Sequence, residues 1–450
     1  MQQSASARNN RMAVSSSHIF ALALAVTLFV SADALFPLLV SGGQEIDIDT
    51  AATARVRTLG WMAAYLLCFV CLAISWRGAI EAIRQNLVFV LLIALAIFSA
   101  MWSDNPLRAA YSASQLGVLT LFALTVSYRL PHSQALVVAC FSYAMMIGLS
   151  VALIAIRPDL GISSSIMYEG AWRGIFIHKN HFGAQLSFAF VTFFSVFILF
   201  TGWVRWAGAA LLLVTLFLCF KSRSSTAFIT CLAVPLIYLA LHAAKTSRSM
   251  LYGIIGATFT GASIMVAILA GSWNAIMELL GKDPELSGRG SLWSMIFDSI
   301  ETHPFLGFGY DSYWSSPAVG GGGAITRSVV WSPGGAHNGW IELTTQLGFI
   351  GLALWAVVFL RTAGLATRLS LGRNQGGNPG ALWPALMLIV VTTWSLVESN
   401  IMRHGNSVHF VFALMTGYLL HLDTGTAKRQ RNEANGVRSE GAWDTVSSRS

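Results

Sequence analysis

Charged side chains are scarce in this sequence. Of its 450 residues, 11% are Asp, Glu, Lys or Arg, against about a quarter in an ordinary soluble domain. Hydrophobic residues make up 55%, and the mean hydropathy is +0.63. A water-soluble core of this size cannot enclose so much apolar surface, and a disordered chain needs the opposite composition. The composition therefore excludes soluble globular and disordered proteins and predicts an all-α, polytopic membrane protein.

Cysteine is also rare, and each of the five cysteines lies inside an apolar run. They are Cys68, Cys71, Cys140, Cys219 and Cys231. No histidine or acidic residue accompanies Cys68 and Cys71, the pair at i, i+3, so packing explains them better than metal binding. The sequence indicates neither a disulfide framework nor a metal or other cofactor.

Long apolar runs are abundant, and twelve of them approach the roughly 20 residues that a membrane-spanning helix needs. These are 19–40, 58–76, 86–102, 109–128, 134–156, 184–201, 204–220, 225–243, 250–271, 347–361, 381–397 and 407–421. They predict an N-terminal segment 1–18, helices one to nine over 19–271, a long loop 272–346, helices ten to twelve over 347–421, and a basic tail 422–450.

The distribution of charge sets the orientation, because cytoplasmic segments are enriched in Lys and Arg. With both termini inside, the inner segments hold 16 of the 28 basic residues and 5 of the 20 acidic residues, whereas the outer segments hold 12 and 14. We therefore predict that both termini are cytoplasmic and that the long loop lies outside. The net charge of +8 follows from this bias and does not indicate a nucleic-acid partner.

The long loop contains amphipathic segments. Leu292, Trp293, Ile296, Phe297 and Ile300 recur at helical spacing, which predicts a helix with one apolar face. Arg289 stands just before it, so the helix N-terminus and this guanidinium can bind one anion together. A plain surface helix with a glycine-rich start is the alternative.

Several outer basic residues lie at the very ends of predicted spans, where the positive-inside rule does not place them. Arg173, Lys179 and Arg223 are examples. They favour binding of an anionic lipid head group, with simple anchoring to lipid phosphates as the alternative. His337 lies where the long loop re-enters the membrane, and it is a candidate general base because histidine titrates near neutral pH. A hydrogen-bonded structural histidine is the alternative at that position.

Four segments, in order and at matching topology, resemble the O-antigen ligase and polymerase family, which includes exopolysaccharide polymerases. The segments are Trp172 to Gly183, Ser222 to Ser224, Gly288 to Trp293 with Pro304 to Gly309, and Ala336 to Asn338 with Glu342 and Gly348. The resemblance is strongest over residues 170–350.

The resemblance implies a function for these residues. It implies an inverting, metal-independent glycosyltransferase of the bacterial inner membrane, which acts at the periplasmic face on an undecaprenyl-diphosphate-linked oligosaccharide donor. The acceptor is another glycan or the lipid A core. Arg223 and Arg289 would bind the diphosphate and His337 would be catalytic. Arg173, Lys179, Asn180 and Asn338 are possible substrate-binding residues.

Three alternatives stay open at this stage. Asp47-Ile48-Asp49 in the first outer loop has the spacing of a divalent-cation site, as in metal-dependent glycosyltransferases. Twelve spans also suit a transporter or flippase, although Asp33 is the only acid well inside a predicted span. Within the resembled family, the motifs slightly favour a polymerase over a ligase.

Overall fold

The architecture is that of a helical bundle. The structure, a computed structural model, describes residues 2–34, 51–164, 168–246, 289–316, 321–328, 333–371 and 378–434. The predicted ninth span 250–271 and the Asp47-Ile48-Asp49 segment lie outside these residues.

Fourteen helices longer than one turn cover most of the described chain. They are α1 (Gln2–Ser31), α2 (Ala51–Ile74), α3 (Trp76–Gln85), α4 (Leu87–Phe98), α5 (Pro106–Val126), α6 (His132–Ile156), α7 (Lys179–Leu199), α8 (Gly202–Ser222), α9 (Ser225–Thr246), α10 (Arg289–Thr302), α11 (Gly322–Ser328), α12 (Gly339–Leu371), α13 (Leu382–Val397) and α14 (Ser407–Ala434). Over the described ranges the only β-type pairing is a single bridge between Ile162 and Trp172. The predicted all-α membrane fold is confirmed.

The described residues account for part of the twelve predicted spans. Seven described helices are long and apolar enough to cross a membrane. An eighth span is possible if Thr58–Ile74 and Trp76–Gln85 count as one, but these two segments meet at an angle of 92°. The apolar helices Ser16–Ser31 and Leu87–Met101 are shorter. Twelve spans are therefore not confirmed, although each predicted run within the described residues coincides with a helix.

Helix α7 lies at the centre of the bundle. Its residues are buried without interruption from Phe182 to Val196, and it packs against α6, α8, α9 and α13. Small residues such as Gly183 and Ser187 allow this close approach of helices. Ser187 also accepts a hydrogen bond from the Trp394 indole of α13, at 3.1 Å.

Helix α12 is broken near its start, at Gly348, where φ is +62°. The turn at residues 304–309 fits into this break. The backbone N–H of Phe349 donates to the carbonyl of Pro304 at 2.8 Å, and that of Gly309 donates to the carbonyl of Gln346 at 2.9 Å. Backbone groups that the break frees are thus bonded to the turn, as a broken membrane helix requires.

The interhelical connections fall into two groups. In the first group, Arg108 pairs with Asp311 at 3.1 Å, and Asn180 bonds to Glu398 at 3.3 Å. We call this the loop end; it comprises the described parts of 102–108, 157–183, 221–224, 289–346 and 398–406. All of these segments are among those that the charge distribution predicts outside.

The second group of connections lies at the opposite end of the bundle. There Arg129 donates to Ser75 at 3.0 Å, Arg361 donates to the carbonyl of Gln85 at 2.8 Å, and Arg368 pairs with Asp423. Helix α5 runs from the first group to the second. The division of these connections between the two ends of the bundle therefore agrees with the predicted topology. It stays a prediction that the second end faces the cytoplasm.

Candidate active site

His337 and Glu398 form a polar pair at the loop end. Glu398 directly follows α13, and its Oε2 lies 3.2 Å from Nδ1 of His337. Its other carboxylate oxygen accepts a hydrogen bond from the Asn180 amide at 3.3 Å. The side chains of His337 and Glu398 are 31% and 25% exposed, so the pair is accessible to a substrate without being fully solvated.

Glu398 is charged in this setting. Burial by itself raises the pKa of Glu398, but the hydrogen bond with His337 and the positive charges of His337, Arg289 and His181 outweigh it, so that the pKa lies below its ordinary value. A carboxylate can only accept hydrogen bonds, so the bonded Nδ1 of His337 carries a hydrogen. In the neutral imidazole the lone pair is then on Nε2, the nitrogen that can take a proton.

The turn that carries His337 is held by a second carboxylate. Buried Glu342 accepts hydrogen bonds from the backbone N–H of Ala336 at 2.7 Å and from the Ser399 hydroxyl at 3.0 Å. It thereby joins the turn before α12 to the connection that carries Glu398. His337 itself has a left-handed backbone with φ of +50°, which is uncommon for residues other than glycine and tends to occur at functional sites.

Arg289 lies on the other side of Glu398. It is the first residue of α10, and its Nη1 donates to the carbonyl of Val397, at the end of α13, over 3.2 Å. The Trp293 indole donates to the carbonyl of Ala336 at 2.8 Å, which fixes α10 against the turn of His337. The predicted apolar stripe of this helix is confirmed at Leu292, Ile296 and Ile300, which are buried, but Phe297 is half exposed.

Arg223 and Lys179 adjoin each other beside this pair. Arg223 ends α8 in a left-handed conformation with φ of +51°, and its side chain is exposed and donates to the carbonyl of Glu169 at 3.0 Å. The Lys179 ammonium donates to the carbonyl of Arg223 at 3.3 Å and lies 4.4 Å from the Tyr168 ring centre. Because Lys179 precedes Asn180, these cations border the site that Asn180 and Glu398 form.

Two predicted substrate-binding residues have structural contacts instead. Arg173 is completely buried, and its guanidinium donates to the carbonyls of Leu160 and Ile177, both at 3.1 Å. Asn338 caps α12, since its side-chain oxygen accepts from the backbone N–H of Trp340 at 2.9 Å. A direct role of either residue in substrate binding stays a prediction.

The structure thus gathers His337, Asn180 and Arg289 around one carboxylate, with Lys179 and Arg223 at its border. The carboxylate, Glu398, is absent from the sequence-based set of site residues. The signal for it was a single acid directly after an apolar run on the predicted outer side. Among the described residues, no three His, Cys, Asp or Glu side chains are grouped so as to hold a metal ion.

Comparison with known proteins identifies the class. Residues 209–356 match the family described as O-antigen ligase, and this segment contains Arg223, Arg289 and His337. The resemblance to the O-antigen ligase and polymerase family is therefore confirmed, and the chain is a multi-pass membrane protein related to that family.

One individual relative is similar over a longer stretch. The chain is 31% identical over 196 residues to the exopolysaccharide production protein ExoQ of Rhizobium meliloti (strain 1021). The alignment covers 42% of this chain and 45% of ExoQ, so the chain spans less than half the length of that relative.

Proposed function

We propose that this protein is a membrane glycosyltransferase that polymerises undecaprenyl-diphosphate-linked oligosaccharide repeats into exopolysaccharide. The reaction would occur at the periplasmic face of a bacterial inner membrane, with inversion at the anomeric carbon and without a metal. The observation that carries the proposal is the His337–Glu398 pair with three basic side chains around or beside it.

In the proposed reaction, His337 acts as general base. A hydroxyl oxygen of the acceptor sugar attacks the anomeric carbon of the donor glycan from the face opposite the diphosphate. The new C–O bond forms as the bond to the diphosphate oxygen breaks, and Nε2 of His337 takes the hydroxyl proton. The carboxylate of Glu398 keeps the ring oriented through Nδ1 and stabilises the imidazolium that forms.

The basic residues suit the leaving group. A lipid diphosphate departs with its negative charge and needs that charge held rather than a proton donated. Guanidinium groups bind phosphate oxygens through paired N–H donors and keep their charge at all relevant pH values. Arg289 lies at a helix N-terminus next to the pair, and the exposed Arg223 and Lys179 offer further positive charge at its border.

Two other functions receive less support. An O-antigen ligase would use the same donor and differ only in its acceptor, the lipid A core; the name of the matched family keeps this alternative, whereas the name of the matched relative favours exopolysaccharide. A transporter needs charges within the span. Among the described residues the buried ones with a formal charge are Arg173 and Glu342, and both lie at the loop end.

Reconstitution tests the proposal. The purified chain in liposomes is given undecaprenyl-diphosphate-linked repeats alone, or these repeats together with lipid A core. We expect a ladder of longer lipid-linked glycans with repeats alone, and none from the His337→Ala protein. Transfer only to lipid A core would identify a ligase, and the absence of any new glycosidic bond would contradict both enzymatic functions.

A further inference from the structure

A second feature of the loop end is a cavity of about 540 Å³ that none of the predicted site residues lines. It lies among the start of α5, the first half of α2 around Trp61, and the connection between α13 and α14. Its volume is in the range of pockets that bind small organic ligands.

The cavity adjoins the candidate active site. Ser399 lines it and follows Glu398 directly, and Gly334 lines it three residues before His337. The Glu342 carboxylate, which also lines the cavity, bonds to Ser399 at 3.0 Å and to the turn that carries His337. The cavity and the turn of His337 therefore share Glu342, and a molecule bound in the cavity lies beside the candidate active site.

Aromatic rings form much of the cavity wall. Trp61 and Tyr65 have ring centres 5.3 Å apart, and Tyr111 and Trp314 also line the cavity. The C–H faces of a sugar ring are apolar and stack on such rings, while its hydroxyls need polar partners. Gln115 and Gln346, which also line the cavity, can donate and accept such hydrogen bonds. This combination fits a saccharide better than a lipid chain.

The charged side chains that line the cavity differ in how many hydrogen-bond and ion-pair partners they have. Asp311 pairs with Arg108 at 3.1 Å and accepts from Ser112 at 2.7 Å. Glu342 has four hydrogen-bond donors, which include the Trp314 indole at 2.9 Å. Arg403 differs from both, because it is exposed and its guanidinium makes no hydrogen bond or ion pair with any residue in the described ranges.

The backbone around Arg403 is held in place. The buried hydroxyl of Tyr310 donates to the carbonyl of Met402 and accepts from the N–H of His404 at 3.0 Å. One side chain thus clamps the residues on both sides of Arg403. A fixed backbone that carries a cation without an ion pair among the described residues is suited to binding an anion at the cavity wall, because little further ordering of the backbone is required on binding.

We propose that this cavity binds a saccharide segment of the acceptor glycan and that Arg403 binds an anionic substituent on it, such as a uronic carboxylate or an acidic acetal. Arg403 is then a residue that determines acceptor specificity. The assignment of the saccharide as acceptor rests on the proposed function, because it requires a sugar hydroxyl to be presented to His337.

A binding experiment with the purified full-length chain in detergent tests this inference. The probe is the repeat oligosaccharide obtained by partial hydrolysis of the surface glycan of the producing cells, compared with the same oligosaccharide after reduction of its carboxyl groups. We expect the native form to bind at least about tenfold more tightly, the usual worth of a hydrogen bond to a charged group. Arg403→Ala should abolish this preference, and Arg403→Lys should keep part of it.

Two variants separate charge from stacking. Tyr111→Ala should weaken both oligosaccharides alike, and because Tyr111 is 62% exposed the change should not unfold the protein. Arg157→Ala removes the same charge as Arg403→Ala at the same end of the bundle, from an exposed pair with Asp159, and should change neither affinity. His337→Gln should bind both forms as the wild type does.

Three results would overturn the inference: a surface glycan without acidic groups, equal binding of the two oligosaccharides by the wild type, or an Arg403→Ala protein in which KM rises for the lipid diphosphate donor and not for the acceptor. The last would place Arg403 in the donor site. A chain that binds the acidic oligosaccharide through Arg403 but forms no glycosidic bond would contradict the polymerase activity alone.

Discussion

Glu398 decides which nitrogen of His337 can act as a base. Its carboxylate lies 3.2 Å from Nδ1 and also contacts Asn180, so the side chains of His337 and of Asn180 in α7 depend on one acid. The lowered pKa of Glu398 means that it stays ionised through mildly acidic pH. A loss of activity at mildly acidic pH should therefore not come from titration of Glu398.

Substitution of the pair should separate the two roles. His337→Gln should lower the transfer rate by about 10²–10⁴-fold, the usual contribution of general-base catalysis, and the residual activity should lose its acid limb. Glu398→Gln should also lower the rate, because an amide can donate to Nδ1 and stabilise the wrong tautomer, but it should keep an acid limb since the histidine is present. Initial rates from pH 5 to 8 measure both effects. Near-normal His337→Gln activity with an intact acid limb would exclude the base role.

Substitution of Arg289 or Arg223 should affect use of the lipid-linked donor, unlike substitution of His337 or Glu398. Arg289→Lys and Arg223→Lys should retain little activity, because an ammonium lacks the paired N–H donors of guanidinium. Loss of one such contact in the transition state is worth about 2–4 kcal/mol. The measurement is kcat/KM for the lipid-linked donor at matched expression. Arg327→Ala, at an exposed arginine outside the site, is the control; an equal loss there would contradict the assignment.

The residues of the candidate active site were only partly predictable from the sequence. Arg223 and His337 were found because each lies at a predicted membrane boundary within a motif, and Arg289 was found because it precedes an amphipathic stretch in the long loop. Glu398 was not, because it lies 61 residues after His337, and only the packing of α13 against α12 brings the two together. Arg173 shows what the position of a residue in the sequence does not reveal. A basic residue at a predicted membrane edge is fully buried here and serves backbone carbonyls.

Among the elements, the break in α12 holds the turn at residues 304–309 against the start of this helix. A Cβ on Gly348 would lie 2.2 Å from the carbonyl carbon of Phe305, and the left-handed φ is itself unfavourable for other residues. Gly307 faces the break with the same constraint, since its Cβ would lie 2.6 Å from the carbonyl carbon of Gln346. These two glycines explain why two separate motifs of the sequence occur together.

Gly348→Ala should therefore destabilise the protein and reduce transfer. The backbone conformation at residue 348, with φ of +62° and ψ of −168°, is essentially restricted to glycine and costs about 1–3 kcal/mol in another residue, and the clash with the 304–309 turn adds to it. Thermal unfolding of the purified protein in detergent measures the change. Gly364→Ala, in the same helix and with no other atom within 4 Å of the added Cβ, should be neutral or stabilising by up to about 1 kcal/mol. Equal stability of the two variants would exclude a structural need for the break.

Helix existence was predictable, and helix geometry was not. Long apolar runs indicate where helices form because the bilayer requires internal backbone hydrogen bonding. The 92° turn after Ile74 leaves little trace in such a pattern, since Ser75 alone separates α2 from α3. The run lengths therefore located the helices within the described residues but did not establish how many of them cross the membrane.

For the whole molecule, the two groups of connections predict a testable topology. Reporter fusions after Gly321 and His404 should report the periplasm, and fusions after Arg77 and Arg431 should report the cytoplasm. The reasons are the excess of basic residues in the second set of segments and the convergence of the first set at the loop end. A cytoplasmic reporter at Gly321 would contradict both the orientation and the periplasmic reaction.

The site draws its parts from well-separated regions of the chain. Arg223, Arg289 and His337 fall within the segment that matches the family, but Asn180 precedes that segment and Glu398 follows it. The segment that matches the family therefore does not contain the whole candidate site. A chimera in which only residues 209–356 are replaced by those of a relative would pair the relative's histidine with Glu398 of this chain. It should be active only if the relative also has a carboxylate directly after its counterpart of α13.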